Sequence, residues 1–272
     1  MPELPFSAMT PVSVAKVGLR ARDADLLAGY YRDVLGLQEL SRDGTVRTLG
    51  AAGRPLLEIE HDPAARPEDP RSAGLFHTAF LLPRRADLGR WIRYAIEQRL
   101  PVDGASDHLV SEAIYLTDPE GNGIEIYSDR PKDGWGWDGD QVRMSTEQLD
   151  INAIVAEVPA GDAGWQGAPA GTIVGHVHLR VGDPAAAEAW WRDQFGFDTV
   201  AHYGNQAVFL SSGGYHHHIG ANSWQSRGAG KREEGLTGLT FVEMRSALAP
   251  APSSHDDPWG TSIRTVPGQP GT

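Results

Sequence analysis

Lys16-Val17-Gly18-Leu19-Arg20, continuing through Asp23 to Tyr30-Tyr31-Arg32-Asp33 and Gly36, returns 160 residues later as His176-Val177-His178-Leu179-Arg180, Asp183, Trp190-Trp191-Arg192-Asp193 and Gly196. All of these but Gly18/His178, ten positions, hold identical or similar residues in one register without a gap, the mark of an internal repeat. Each copy opens on alternating apolar residues, Val17/Leu19 and Val177/Leu179, which is the period of a half-buried strand. An Asp then precedes an alanine-rich segment with apolar residues at helical spacing: Leu27, Tyr31, Val34 and Leu35 in one copy, Ala187, Trp191 and Phe195 in the other. Asp23 and Asp183 suit helix N-caps, and Gly36 and Gly196 suit C-terminal stops. The repeated unit reads strand, helix, then strands.

A related unit begins with the alternation His77, Ala79, Leu81. After Pro83 comes a helix pattern through Leu88, Trp91, Ile92, Ala95 and Ile96, then strand-like Ala113–Leu116 and Ile124–Tyr127 on either side of the turn Asp118-Pro119-Glu120-Gly121-Asn122-Gly123. A fourth, shorter unit starts at Gly238-Leu239-Thr240-Phe241-Val242; its helix pattern is missing, and Pro250-Ala251-Pro252-Ser253-Ser254 reads as loop. Between the halves, Pro131–Gly171 carries Trp135, Trp137, Pro159, Pro169 and many glycines, and reads as a linker with one helix near Met144–Val155. The expected organisation is a first module over 10-130, a linker over 131-171 and a second module over 172-272.

A chain of 272 residues can bury a sizeable core without staples. It has no cysteine, so disulfides and thiolate metal ligands are excluded, and any metal must be held by imidazole and carboxylate. A formal net charge of -12 argues against a general affinity for nucleic acid, which needs clustered Lys and Arg. No run approaches the roughly 18 apolar residues of a membrane span, and Met1–Val17 lacks a basic segment followed by an apolar one. A soluble, cytoplasmic protein is expected, with no membrane partner.

The opening strands, the helix ends YYRDVLGL and WWRDQFGF, and the closing DPEGNGIEIY resemble the vicinal-oxygen-chelate superfamily of glyoxalases, resistance proteins and type I extradiol dioxygenases. The resemblance covers nearly the whole chain, most poorly its last thirty or so residues. It implies an α+β fold of four βαβββ units in two modules, the last unit degenerate, whose curved sheets pair into cups with a metal at the base. FHTAFLLP, SEAIYLTDPEGNGIEIYSDRP, VGHVHLRV and GYHHHIGANSW are most similar to bacterial catechol-2,3-dioxygenases.

The resemblance implies ligands on the opening and closing strands of facing units. The opening-strand positions are Lys16, His77, His176 and Gly238, and the closing-strand position of the second unit is Glu125. If the second and third units face each other, His77, His176 and Glu125 make a two-histidine, one-carboxylate set suited to Fe(II), with Mn(II) or Zn(II) as alternatives. His178 shares a strand face with His176 and is the fallback ligand. In Tyr215-His216-His217-His218, the resemblance favours His217 as the acid/base, but on a regular strand His216 and His218 would take the opposite face, and register leaves the choice open. His108 and Tyr115 resemble the remaining polar pair, although Tyr115 could equally be a core aromatic.

The implied activity is extradiol cleavage of a catechol or substituted catechol, with a small aromatic diol and dioxygen as partners and homo-oligomerisation left open. A glyoxalase-like lyase or isomerase would need a fourth protein ligand, which His216 or His218 could supply. A resistance or binding protein would keep the cups and lose the metal set.

Overall fold

The structure, a computed structural model, describes residues 4–269 and 271. The first unit comprises β1 (Val12–Ala21), α1 (Ala24–Leu35), β2 (Gln38–Asp43), β3 (Val46–Ala51) and β4 (Arg54–His61). The second comprises β5 (Gly74–Leu81), α2 (Arg85–Gln98), β6 (Gly104–Asp107), β7 (Ser111–Thr117) and β8 (Gly123–Asp129). A connecting stretch holds the short hairpin β9 (Trp137–Asp138) and β10 (Gln141–Val142) and then α3 (Ile151–Ala156). The third unit is β11 (Ile173–Arg180), α4 (Pro184–Phe195), β12 (Asp198–Tyr203), β13 (Ala207–Ser211) and β14 (Ile219–Asn222). The fourth is β15 (Gly238–Ser246), β16 (Ser253–Asp256) and β17 (Ser262–Pro267), with no helix between its strands. This is the expected α+β arrangement with a degenerate last unit.

The caps form as their residues dictate. Asp23 accepts from the Leu26 N–H and Asp183 from the Ala185 N–H, while Gly36 and Gly196 close α1 and α4 in the left-handed conformation. Leu27, Tyr31, Val34, Leu88, Trp91, Ile92, Ala187 and Trp191 are all buried in one core shared by both sheets. Ile96 departs from expectation and is 65% exposed. It lies about 80° around the helix from Leu88, at the edge of the apolar stripe. Ser253 and Ser254 are not loop; they pair with Thr265 and Arg264 in β16. The helix of the connecting stretch starts only at Ile151, capped by Asp150, because Glu147 is drawn into a bridge with Asp107.

Units of the two halves mix in each sheet. The seven-stranded sheet runs β16-β17-β15-β1-β4-β3-β2, joining the first and fourth units, and the eight-stranded sheet runs β12-β13-β14-β11-β5-β8-β7-β6, joining the second and third. The expected facing of the second and third units is thus a hydrogen-bonded seam, with β5 antiparallel to β11. On β8, Ile124 and Ile126 point into the core beneath the helices, and Tyr127 packs on the opposite face with Ala79, Leu81 and Ala113. Glu125 shares that opposite face by the two-residue period. No helix among the described residues is long and apolar enough to cross a membrane.

Candidate metal centre

The seam between β5 and β11 sets the site. His77 pairs with His178 and Ala79 with His176, while β8 runs parallel to β5 and places Glu125 beside Ala79. The side chains of His77, His176 and Glu125 therefore converge from three adjacent strands. Glu125 Oε2 lies 3.0 Å from His77 Nε2 and 3.2 Å from His176 Nε2, and the two imidazole nitrogens are 3.3 Å apart. All three residues are buried, with one ligand atom of each lying within 4.8 Å of the others. No other such group of three occurs among the described residues.

Burial alone would raise the Glu125 carboxyl, but the charge and hydrogen bonds of His176 and His77 outweigh it and hold the group well below the usual range. Burial pushes the His176 imidazole down to about 4 against the pull of Glu125. A neutral imidazole and an ionised carboxylate are the forms in which these groups donate to a metal. Two imidazoles and one carboxylate crowded onto one point fit a divalent cation of intermediate hardness. His178, although its ring packs on that of His77, is not one of the three whose ligand atoms converge, and its buried Nε2 has no partner among the described residues.

The histidine run is not on a regular strand. Gly213 and Gly214, with φ of 66° and 74°, turn the chain after β13, and residues 215–218 form an irregular connection to β14. Alternation of faces does not apply there, and all three histidines are buried. His217 packs on His176 with ring centroids 4.1 Å apart. His218 turns away: its Nε2 lies 3.2 Å from the Ser7 carbonyl oxygen, and its Nδ1 accepts from the Ser212 N–H at 3.3 Å. His216 reaches Asp129, with Nε2 2.8 Å from Oδ1.

His108 and Tyr115 do meet. His108 Nδ1 donates to the Ser145 carbonyl at 2.7 Å, leaving Nε2 to accept from the Tyr115 hydroxyl at 2.5 Å. Tyr115 is the cross-strand partner of Glu125, and burial together with that carboxylate raises its phenol well above the usual range. Tyr115 stays a neutral donor at physiological pH.

Sequence reasoning missed Tyr127 and Asp129. They follow Glu125 at two-residue steps on β8, so the period of a strand placed them on its face. Tyr127 packs on His176 with centroids 4.9 Å apart, and a Cβ at Gly175 would lie 1.9 Å from its hydroxyl oxygen, so only glycine fits there. An aromatic group of Phe76, Phe209 and Trp224 around His178 was also missed; Phe209 touches His217 as well.

Residues 13–126 and 173–251 match the Glyoxalase/Bleomycin resistance protein/Dioxygenase superfamily. Over 240 residues the chain is 42% identical to a catechol-2,3-dioxygenase of Bacillus subtilis (strain 168), spanning 86% of this chain and 82% of that one. Glyoxalase I from Zea mays superposes with a TM-score of 0.57 at 12% identity, over 96% of this chain and 94% of that one. The cppA protein from Streptococcus pneumoniae TIGR4 superposes with a TM-score of 0.56 at 11% identity, over 94% and 99%. At such identities the two structures speak for the fold alone. The family match over more than half of the chain, joined to a relative 42% identical along most of its length, makes this chain a member of the Glyoxalase/Bleomycin resistance protein/Dioxygenase superfamily.

Proposed function

We propose that the protein is a non-haem, Fe(II)-dependent dioxygenase that opens a catechol-type ring beside one of its hydroxyl-bearing carbons, with His77, His176 and Glu125 as metal ligands. The observation that carries this reading is the convergence of those three ligand atoms, all buried, within 4.8 Å. Bound there, the metal would supply open positions for a catecholate and dioxygen side by side. The relative named a catechol-2,3-dioxygenase supports the same substrate class.

The chain's own residues divide the remaining work. His217, packed against His176, is the acid/base that takes a proton from the incoming diol and returns one later. The Tyr115 hydroxyl, whose one proton goes to His108 Nε2, holds a neutral acceptor oxygen next to Glu125. Phe76, Phe209 and Trp224 present aromatic faces to a planar ring and keep water from its far side. A glyoxalase-like lyase is less well supported, because the fourth ligand it needs would come from His216 or His218. These are bonded instead to Asp129 and to the Ser7 carbonyl.

The test is metal analysis of anaerobically purified protein followed by oxygen uptake with catechol. One iron per chain and catechol-dependent oxygen consumption are expected. Stoichiometric zinc without oxygen uptake would turn the reading toward a lyase, and absence of any metal toward a binding protein.

A further inference from the structure

A line of hydrogen bonds leads away from His217 into the protein. His217 Nδ1 lies 2.9 Å from His216 Nδ1, and His216 Nε2 lies 2.8 Å from Asp129 Oδ1. The same carboxylate oxygen accepts from the Tyr215 hydroxyl at 3.1 Å, and the Tyr127 and Tyr215 hydroxyl oxygens are 2.7 Å apart. The His216 ring is fully buried between Tyr215, at 4.0 Å between centroids, and Trp135, at 5.1 Å, so it is held in one orientation.

The protons in this line follow from what each atom can do. An ionised carboxylate only accepts, so the Asp129 oxygen takes the Nε2–H of His216 and the O–H of Tyr215. Tyr215, its proton committed, accepts from Tyr127. A neutral His216 that donates through Nε2 has a lone pair on Nδ1, and the nitrogen facing it, His217 Nδ1, must carry a hydrogen. His217 is then left with its lone pair on Nε2, the nitrogen that His216 does not engage.

We propose that Asp129 and His216 are positioning residues that hold His217 in the Nδ1–H tautomer, so that its Nε2 is the atom that receives a proton. The inference rests on the reading of His217 as the acid/base. When Nε2 takes a proton, the resulting imidazolium donates through Nδ1 to His216, whose Nε2–H already points at the Asp129 charge. The positive charge formed at the site is thus met by a negative one two hydrogen bonds away. Without the line, a neutral imidazole in water prefers the Nε2–H form, which has no base at the required atom.

The experiment reads the tautomer directly, by long-range ¹H–¹⁵N correlation on uniformly ¹⁵N-labelled protein in the presence of diamagnetic zinc(II), with His217 assigned from the His217→Asn spectrum. The expected result is a protonated Nδ1 and an unprotonated Nε2 on His217, with Asp129→Leu shifting the ring toward the opposite tautomer. The His216→Phe variant, which keeps a ring between Tyr215 and Trp135, is expected to do the same if Asp129→Leu fails to fold. In the iron-loaded enzyme, Asp129→Leu is expected to lower kcat at least about tenfold with KM little changed, and Asp129→Asn, which keeps an acceptor, to recover part of it. An Nε2–H His217 in the unaltered protein, or a tautomer indifferent to both variants, overturns the inference. The spectrum does not depend on turnover, so an enzyme inactive toward catechol with the expected tautomer would refute the proposed reaction and leave this positioning role standing.

Discussion

In the eight-stranded sheet, His77 on β5 faces a strand that brings His176 opposite Ala79, and Glu125 lies beside Ala79 on the other side. In the seven-stranded sheet, Lys16 on β1 faces a strand that brings Phe241 opposite Gly18, and Glu58 lies beside Gly18. Register therefore maps Lys16 onto His77, Phe241 onto His176 and Glu58 onto Glu125. The expected counterpart Gly238 sits elsewhere, opposite Arg20 and three residues before Phe241 on the same strand. The carboxylate is kept in both sheets, but its partners differ. Glu58 Oε1 lies 2.5 Å from the Lys16 ammonium, with Glu243 3.6 Å from the same nitrogen. The Phe241 ring, covered by Arg264 at 3.6 Å, offers no lone pair. One backbone plan thus carries either a ligand set or an internal ion pair, and the choice is made by side chains alone.

The largest expected effect is at Glu125. Glu125→Ala removes the only anionic donor of the set and should weaken metal retention by more than ~100-fold, since even a residue that merely supports a ligand is worth about 10–100-fold. Metal content per chain after dialysis against a weak chelator checks this; a variant that keeps its metal as the parent does would reject the ligand assignment. His217→Ala comes next, with metal retained and turnover reduced about 10²–10⁴-fold, the range for an acid/base group. Loss of metal together with activity would make His217 a ligand. Full activity in this variant, with His216→Ala or His218→Ala dead, would move the acid/base role to that neighbour.

The seven-stranded sheet should respond in stability only. Lys16→Met leaves the half-buried Glu58 carboxylate without its closest partner and should cost about 1–3 kcal/mol in urea unfolding, with metal content and kcat unchanged. A second stoichiometric metal in the unaltered protein would undo the comparison between the sheets.

The smallest effect is a slope. Burial pushes the His218 imidazole down to about 3 from 6.5, against the lift of its hydrogen bond to the Ser7 carbonyl. The unfolded chain takes up this proton below about pH 6.5 and the folded chain only near pH 3, so the contribution is complete above 6.5 and is lost as the pH falls between the two. The loss amounts to on the order of 1 kcal/mol per pH unit. Stability of His218→Gln measured from about pH 6 to pH 4 should decline less steeply than that of the parent, by one proton's worth. Parallel declines would show that His218 is not the buried neutral group described.

The duplicated units, their strands and the capped helices were legible in the sequence, because strand and helix periods and caps are written within a few residues of one another; His77, His176 and Glu125 stood out only through the family resemblance of the strands that carry them. His77 and His176 are 99 residues apart, and only the antiparallel register of β5 on β11 brings their nitrogens together. The order of His216, His217 and His218 around the site also lay beyond sequence, since two turning glycines take the run off the strand and remove the alternation that a sequence argument needs. Asp129 illustrates both halves: its place on the face of Glu125 follows from counting by twos along β8, but its bond to His216 exists only because the loop after β13 folds back across that strand. Local periodicity decides which residues can line a face, and long-range hydrogen-bond register decides which faces meet.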